Sequence, residues 1–319
     1  MDFEKLLQEK YTNVFRKGYS TAKGFTVTKR YDELKEDLDN LQVSENDIWI
    51  CSFPKCGTTW TQEMVWMIIN NLDFERAKRP LDERSPFVEF SMLYDDRELF
   101  DKKPDYKPAL YLHDSIGHYK SLKSPLLVKS HLPIDLLPKQ LREGSKKPKI
   151  VYVARDPRDV CISYYHHSKL IEGFKGTCEE FCELFLAGKV PYAPYWQHVL
   201  PFWEKRNNLN VLYLKYEDMK KDLPSIVRQV AAFVGRSLTN EQVQILANHL
   251  SFESMSKNKA VNKEEHIENK RRNNLTDYQE GKFMRSGKVG DYKTSMTPEI
   301  CVKFENWIKN NIENTDYVI

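Results

Sequence analysis

The chain has 319 residues, of which 40% are hydrophobic and 30% are charged. This proportion of apolar residues supports a packed core, which excludes a disordered, collagen-like or mucin-like chain. Lysine and arginine number 49 against 46 acidic residues, and the resulting formal net charge of +3 gives no overall electrostatic basis for binding nucleic acid or a membrane.

The N-terminal residues 1–5 read MDFEK and lack the apolar stretch of a signal peptide. The longest apolar run, residues 64–69, is too short to cross a membrane. The six cysteines follow neither a disulfide framework nor the spacing of metal ligands. We therefore expect a cytoplasmic protein without a metal site.

Four short apolar segments are predicted to be strands, and three of them lead into helical patterns. The predicted strands are 47–53, 126–130, 149–154 and 210–216, and the predicted helices are 59–70, 156–170 and one that begins near residue 217. This alternation indicates an α/β fold in which helices flank a central, mostly parallel sheet. Ligands bind beyond the carboxyl ends of such strands, so the functional residues are expected there.

No sequence feature between these elements marks a domain boundary. No repeat or linker rich in proline, glycine or serine divides the chain. We therefore expect a single domain over residues 1–319, with about the first 40 residues as a peripheral extension.

The segment FPKCGTTW, residues 53–60, follows the first predicted strand. A glycine turn that opens a helix presents free backbone N–H groups, which favour anions. Lys55 adds a positive charge, and Thr58 and Thr59 add hydroxyl donors. The lysine precedes the glycine, so the segment differs from the P-loop pattern GxxxxGK[ST]. It predicts a phosphate-type site, with an ordinary threonine-capped turn as the alternative.

The segment KSHLP, residues 129–133, follows the second strand. Lys129 and His131 are two residues apart, so they project to the same side of an extended chain. Histidine can act as a general base near neutral pH, and lysine can stabilise developing negative charge. The other histidines, including His166 and His167, are interpreted as structural.

Arg155 ends the third strand and offers a planar fork suited to phosphate, while Ser163 lies one to two turns along the next helix. A surface Arg–Asp network is the alternative. A second basic loop, GKFMRSG, occupies residues 281–287. The turn at Lys55 to Thr59 and the pair Arg155 and Ser163 are thus two phosphate-type sites, and Lys129 and His131 lie between them in sequence. This layout suits a nucleotide that carries phosphates at both its 5′ and 3′ ends.

These motifs resemble those of the cytosolic sulfotransferases, whose donor is 3′-phosphoadenosine 5′-phosphosulfate. FPKCGTTW is similar to the family pattern YPKSGTTW, and KSHLP is similar to KTHLP. VYVARDPRDVCISYY resembles VYVxRNPKD followed by VSYY, KYEDM resembles LYEDM, and FMRSGKVGDYK resembles FMRKGxxGDWK. The matches keep their order over nearly the whole chain.

The resemblance implies a P-loop-like, nucleotide-binding sulfotransferase fold. It also implies metal-independent transfer of a sulfuryl group to a hydroxyl or amine of a small, apolar phenol or alcohol. His131 would be the general base, and Lys55 and Lys129 would stabilise the charge that develops during transfer. The implied donor-binding residues are Lys55, Cys56, Gly57, Thr58, Thr59, Trp60, Arg155, Ser163, Tyr216, Ser251, Phe252, Met255, Phe283, Met284, Arg285, Ser286 and Gly287, and the implied acceptor-binding residues are Phe87, Lys129 and His131.

Several positions depart from the family pattern. Cys56 replaces serine, and Ser286 replaces lysine, which predicts weaker donor binding unless Lys282 or Lys288 compensates. The dimer motif KxxxTVxxxE is degraded, because Pro298 follows Thr297 and the expected glutamate is absent. A monomer and a homodimer both stay open.

Three other functions are compatible with parts of the sequence. A nucleotide or sugar kinase of related fold is opposed by the missing GK[ST]. A binding protein could use the nucleotide fold to sequester a lipophilic ligand without turnover. A dehydratase could act through a transient sulfate ester, because sulfation of an allylic alcohol creates a good leaving group.

Overall fold

The computed structural model describes residues 2–102, 109–272, 278 and 280–319. The described strands are β1 (Tyr19–Ala22), β2 (Phe25–Thr28), β3 (Ile48–Cys51), β4 (Leu127–Ser130), β5 (Lys149–Ala154) and β6 (Val211–Lys215). Strands β3 to β6 form a parallel sheet in the order β4-β3-β5-β6. These are the four predicted strands, and their parallel arrangement confirms the predicted fold class. Strands β1 and β2 form an antiparallel hairpin that was not predicted.

Helices surround the sheet. The described α-helices are α1 (Phe3–Lys10), α2 (Lys29–Asp39), α3 (Thr58–Ile69), α4 (Leu81–Arg84), α5 (Phe90–Leu93), α6 (Arg97–Lys102), α7 (Leu110–His113), α8 (Ser115–Ser121), α9 (Lys139–Arg142), α10 (Pro157–His167), α11 (Cys178–Leu186), α12 (Tyr195–Glu204), α13 (Tyr216–Lys221), α14 (Leu223–Phe233), α15 (Asn240–His249), α16 (Phe252–Lys257), α17 (Glu264–Arg272), α18 (Tyr292–Ser295) and α19 (Pro298–Ile312). Short 3₁₀ helices occupy Arg76–Lys78 and Ile134–Leu136, and a π-helical segment occupies Ser168–Glu172. None of the helices in the described ranges combines the length and apolar character needed to span a membrane.

Side chains alternate along the central strands between two apolar cores. On β3, Trp49 and Cys51 enter one core, whereas Ile50 enters the other. The first core also contains buried residues of α10, α11, α12 and α19, and the second contains those of α3, α14 and α15. Helices therefore cover both faces of the sheet. The edge expected to hold the functional residues lies at the carboxyl ends of the strands.

The first 40 residues are integrated into the first core, which corrects the expectation of a peripheral extension. Tyr11 is 0% exposed and Arg16 is 2% exposed. Arg16 Nη1 donates to Glu172 Oε2 at 3.1 Å, in the π-helical segment. The guanidinium is tolerated inside the protein because this carboxylate neutralises its charge. The N-terminal segment thus supports the π-helical segment that follows α10.

The degraded dimer motif has a structural role of its own. Thr297 caps α19 by accepting a hydrogen bond from the backbone N–H of Ile300, and Pro298 occupies the first turn. Proline suits this position because its missing N–H is one that a helix start leaves unpaired.

A buried ion pair joins α3 to α4. Arg84 Nη2 donates to Glu63 Oε2 at 2.8 Å, and the two side chains are 1% and 0% exposed. His249 Nε2 lies 2.8 Å from the second carboxylate oxygen of Glu63. The guanidinium carbon of Arg84 lies 4.4 Å from the ring centroid of Trp66. The pair therefore fixes the end of α4 against the helix that follows β3.

We expect Arg84→Ala to lower the free energy of unfolding by about 3–5 kcal/mol, because it leaves the carboxylate of Glu63 buried without its cation. The matched control is Arg79→Ala, since Arg79 pairs with Glu83 at the surface, where the side chains are 60% and 38% exposed. That variant should change stability by about 0–1 kcal/mol. Equilibrium denaturation measures both, and equal losses would contradict the assigned role.

Candidate functional site

A cavity of about 250 Å³ lies at the carboxyl ends of the four parallel strands. Every residue predicted for the site lines it, except Cys56 and Ser251. Cys56 is fully buried beneath the turn, and Ser251 caps α16 by accepting a hydrogen bond from the backbone N–H of Ser254. Their side chains therefore do not face the cavity, although Leu250 and Phe252 beside Ser251 do.

The turn after β3 is shaped to receive an anion. Gly57 has a φ of 105°, and a Cβ at this position would lie 2.9 Å from a ring carbon of Tyr216. Glycine is therefore required both for the left-handed conformation and for the close approach of the ring. Helix α3 begins at Thr58 without a side-chain cap, so its first N–H groups are free to bind a ligand.

Lys55 also adopts a left-handed conformation, with a φ of 71°. Such a backbone is uncommon for a residue with a side chain. The ammonium nitrogen lies 4.3 Å from the ring centroid of Phe283, which comes from the basic loop. The strained turn and the aromatic ring together hold this charge at the cavity wall.

The hydrogen bonds of His131 define its tautomer. Nδ1 lies 2.8 Å from the backbone carbonyl oxygen of Ser52, which can only accept a hydrogen bond. Nδ1 therefore carries the proton, and Nε2 keeps its lone pair. His131 is 8% exposed and lines the cavity. It is thus held in the form that can remove a proton.

The backbone of His131 is held equally firmly. Its N–H donates to Glu89 Oε1, and its carbonyl accepts a hydrogen bond of 2.8 Å from His198 Nε2. His198 Nδ1 in turn accepts a 2.9 Å hydrogen bond from the hydroxyl of Tyr152. No sequence motif pointed to Glu89 or His198, because each contacts a backbone group of His131, which is distant in sequence.

Burial and mutual repulsion weaken the charges around the cavity. Burial, with repulsion from Lys129, lowers the pKa of His131 well below its usual range and lowers the pKa of Lys55 to about 7. Burial, together with the charge of Lys263, lowers the pKa of Lys129 to about 8. Burial raises the pKa of Glu89 to about 7. A polyanionic ligand would relieve the repulsion between the lysines.

Lys129 and His131 share an aromatic wall. The ammonium nitrogen of Lys129 lies 3.9 Å from the ring centroid of Phe87, and the Phe87 and His131 rings meet edge to face at 5.1 Å. The backbone N–H of Lys129 also donates to the carbonyl of Pro86 at 2.9 Å. The segment before α5 therefore lies beside β4 and places Phe87 next to His131.

The opposite part of the cavity combines a cation with flat rings. The guanidinium carbon of Arg155 lies 4.4 Å from the ring centroid of Tyr216, whose ring meets that of Trp60 at 5.5 Å. Trp60 Nε1 donates to the carbonyl of Leu250 at 2.8 Å. Ser163 lines the same region from α10. This arrangement suits an aromatic base and a phosphate.

The basic loop closes this region. Gly287 has a φ of 61°, and a Cβ there would lie 2.3 Å from the ring of Phe252. Arg285 lines the cavity and pairs with Asp291. Two lysines were considered as replacements for the charge absent at Ser286. Lys282 lines the cavity. The backbone carbonyl of Lys288 accepts a hydrogen bond of 2.8 Å from Arg155 Nη2.

The remaining wall was largely missed by sequence reasoning. The additional lining residues include Phe90, Leu93, Tyr94, Leu112, His166, His167, Leu170, Ile171, Glu172, Tyr192 and His266. His166 and His167, which were interpreted as structural, both line the cavity from α10. Within the described residues, no group of three or more His, Cys, Asp or Glu side chains is placed to hold a metal ion.

Comparisons with known proteins agree on one family. A family model described as the sulfotransferase domain matches residues 45–316. The chain is 42% identical to the luciferin sulfotransferase of Photinus pyralis over 288 residues, which cover 90% of this chain and 77% of that protein. It is 33% identical to sulfotransferase 1B1 of Mus musculus, with 95% of each chain covered.

The fold is also similar to a solved structure of retinol dehydratase in complex with retinol and PAP. The TM-score is 0.88 at 31% sequence identity, and the similarity covers 100% of this chain and 96% of that one.

Proposed function

The chain belongs to the sulfotransferase family, and on that premise we propose that it transfers a sulfuryl group from 3′-phosphoadenosine 5′-phosphosulfate to the hydroxyl of a small, mainly apolar phenol or alcohol. One observation carries this proposal. The unprotonated Nε2 of His131 shares one cavity with Lys55 and Lys129, between an anion-binding turn and an apolar wall.

The donor fits the two polar ends of the cavity. The turn at Lys55 to Thr59 would hold the 5′-phosphosulfate through backbone N–H groups, hydroxyls and one ammonium. Arg155, Ser163 and the basic loop would hold the 3′-phosphate, and Trp60 and Tyr216 would border the base. The solved neighbour bound to PAP supports the choice of this donor. The donor supplies the sulfuryl group, and the protein positions and stabilises it.

The reaction needs two actions from this chain, removal of a proton and stabilisation of negative charge. His131 Nε2 accepts the proton of the acceptor hydroxyl, whose oxygen then forms a bond to sulfur. The bond from sulfur to the bridging phosphate oxygen breaks, and 3′-phosphoadenosine 5′-phosphate leaves. Lys55 and Lys129 stabilise the negative charge on the leaving oxygen and on the transferring group, since preorganised cations act most strongly where charge develops.

The donor site is tested by calorimetric titration with 3′-phosphoadenosine 5′-phosphate. We expect micromolar or tighter binding, and we expect Gly57→Ala to weaken it at least about tenfold, because the new Cβ collides with Tyr216 and strains the turn. Gly235→Ala is the matched control. Gly235 also has a positive φ of 75°, but a Cβ there meets nothing within 4 Å and the residue does not line the cavity. Equal affinity of the unmodified protein and of both variants would refute a donor site at this turn.

Dehydration is a second candidate, favoured by the similarity to retinol dehydratase. Transfer to an allylic alcohol would give a sulfate ester, whose carbon–oxygen bond could then break with loss of sulfate and a proton. Both reactions release 3′-phosphoadenosine 5′-phosphate, so mass spectrometry of the organic product distinguishes them. A stable ester supports sulfation, and an unsaturated product with free sulfate supports dehydration.

The ligand-sequestering alternative makes a different prediction. A protein that only stores a lipophilic ligand would bind it and the nucleotide without forming 3′-phosphoadenosine 5′-phosphate from the donor. The convergence of His131, Lys55 and Lys129 on one cavity opposes this alternative, because storage requires neither a base nor paired cations.

A further inference from the structure

Much of the acceptor side of the cavity is apolar, with polar side chains among the apolar ones. Phe90, Leu93, Leu112 and Ile171 form much of the wall. Glu172, His167 and Tyr192 also line the cavity, and each has a hydrogen-bonding site that no group among the described residues uses. We call these three residues the polar patch. The proposed transfer assigns none of the three a part in removing the proton or in stabilising the developing charge.

Glu172 presents a carboxylate oxygen that is not engaged. Its Oε2 accepts hydrogen bonds from Tyr11, Arg16 and Ser168. Its Oε1 lies 3.7 Å from His167 Nε2, which is beyond hydrogen-bonding distance, and in the described part of the chain it accepts no other hydrogen bond. Glu172 is only 4% exposed. Burial alone would favour the protonated acid, yet the charge of Arg16 holds the pKa of Glu172 at about 2, so Oε1 is an acceptor at neutral pH.

The other two members of the polar patch have unpaired buried atoms. Within the described residues, neither His167 Nδ1 nor the Tyr192 hydroxyl has a hydrogen-bond partner. His167 is neutral at physiological pH, because burial and the charge of Lys55 lower its pKa. The nearby carboxylate of Glu172 favours the proton on Nε2, which leaves Nδ1 as an acceptor. Tyr192 is 3% exposed, and its ring lies 5.7 Å from that of His131.

His167 Nδ1 and the Tyr192 hydroxyl are already buried in the free protein, and an acceptor without a polar group here would leave them unsatisfied, which is costly. A ligand group that both donates and accepts hydrogen bonds would donate to Glu172 Oε1 or His167 Nδ1 and would accept from the Tyr192 hydroxyl. Arg16 already neutralises Glu172, so the polar patch does not call for a cation. We propose that the polar patch binds a second, neutral hydroxyl on the acceptor, so that the substrates preferred by this protein carry two hydroxyl groups, one sulfated at His131 and one held by Glu172, His167 and Tyr192.

This inference rests on the proposed function, but binding tests it without turnover. The probes are 4-alkylphenols in a series of chain lengths, each compared with analogues of equal size that end in a hydroxyl or an ammonium group. Calorimetry with saturating 3′-phosphoadenosine 5′-phosphate should show, at the fitting length, about tenfold tighter binding of the hydroxyl analogue than of the methyl-terminated one.

Tyr192→Phe and His167→Phe should each reduce this preference to about threefold or less. Tyr192→Phe removes a hydroxyl without a partner, so folding should be retained. The matched control is Tyr213→Phe, since the Tyr213 hydroxyl is buried but the residue does not line the cavity, and it should leave the preference unchanged.

Loss of the preference in either variant supports the polar patch. The inference is overturned if no chain length gives a hydroxyl preference, if the ammonium analogue binds more tightly, or if both variants keep the full preference. Its failure is distinct from failure of the proposed function. Sulfated phenols formed from the donor without any hydroxyl preference would refute only the polar patch, whereas the preference without any sulfated product would refute only the transfer activity.

Discussion

His131→Ala is expected to lower the turnover number by about 10²–10⁴-fold while leaving affinity for 3′-phosphoadenosine 5′-phosphate nearly unchanged. In the proposed complex the donor is held by the turn after β3 and by the basic loop, and His131 belongs to neither. Its Nε2 is proposed to act only on the proton of the acceptor hydroxyl. The effect should therefore appear in the chemical step, and a single-turnover measurement of sulfated product from a simple phenol would isolate it.

The pH profile supplies a second readout for His131. A base is active when it is unprotonated, and burial with the charge of Lys129 lowers the pKa of His131. Activity should therefore persist below the usual histidine pKa of about 6.5 and decline only at more acidic pH. His118→Ala is the matched control, because His118 does not line the cavity, and it should leave turnover unchanged. Turnover in His131→Ala equal to that of the control would remove the assignment of the base.

The residues at the strand ends could be predicted from sequence because their determinants are local. The turn at Lys55, the pair Lys129 and His131, and Arg155 each directly follow a strand whose apolar character is visible in a few residues. Parallel strands bring such positions to one edge without further information. The structure places these residues around one cavity for that reason.

The acceptor side could not be predicted in the same way. It is built from short helices such as α5 and α7 and from the π-helical segment Ser168–Glu172, none of which has a strong periodic pattern. The orientation of Glu172 depends on Arg16, which is 156 residues away in sequence. A contact of this range is specified by packing, and no local pattern indicates it.

The N-terminal segment shows the same limit. Tyr11 reads as an ordinary residue after a charged helix, yet its hydroxyl donates to Glu172 at the cavity wall. The hairpin of β1 and β2 is similarly fixed from outside, because Thr26 exchanges backbone hydrogen bonds of 2.8 Å with Tyr192 and Ala193. The wall proposed to contact the acceptor is therefore assembled from distant parts of the chain.

Lys55→Ala is expected to lower the turnover number by about 10²–10³-fold and to weaken binding of 3′-phosphoadenosine 5′-phosphate by about tenfold. Both quantities should change because the ammonium faces the 5′-phosphate in the bound nucleotide and the leaving oxygen during transfer. Lys55→Arg keeps a positive charge but not the compact ammonium, so it should restore more of the binding than of the turnover. The matched control is Lys147→Ala, since Lys147 is exposed and does not line the cavity.

The protonation of Lys55 makes this prediction specific. Burial and repulsion from Lys129 lower its pKa to about 7 in the free protein, and the negative charge of a bound nucleotide should raise it. Affinity should therefore be highest below pH 7 and should fall as the pH rises through this pKa, because above it binding must recruit a proton. Calorimetry in buffers of different ionisation enthalpy measures that proton uptake near pH 8. Uptake that persists undiminished in Lys55→Ala would show that another group takes the proton, whereas its loss would identify Lys55 as the cation that binds the donor.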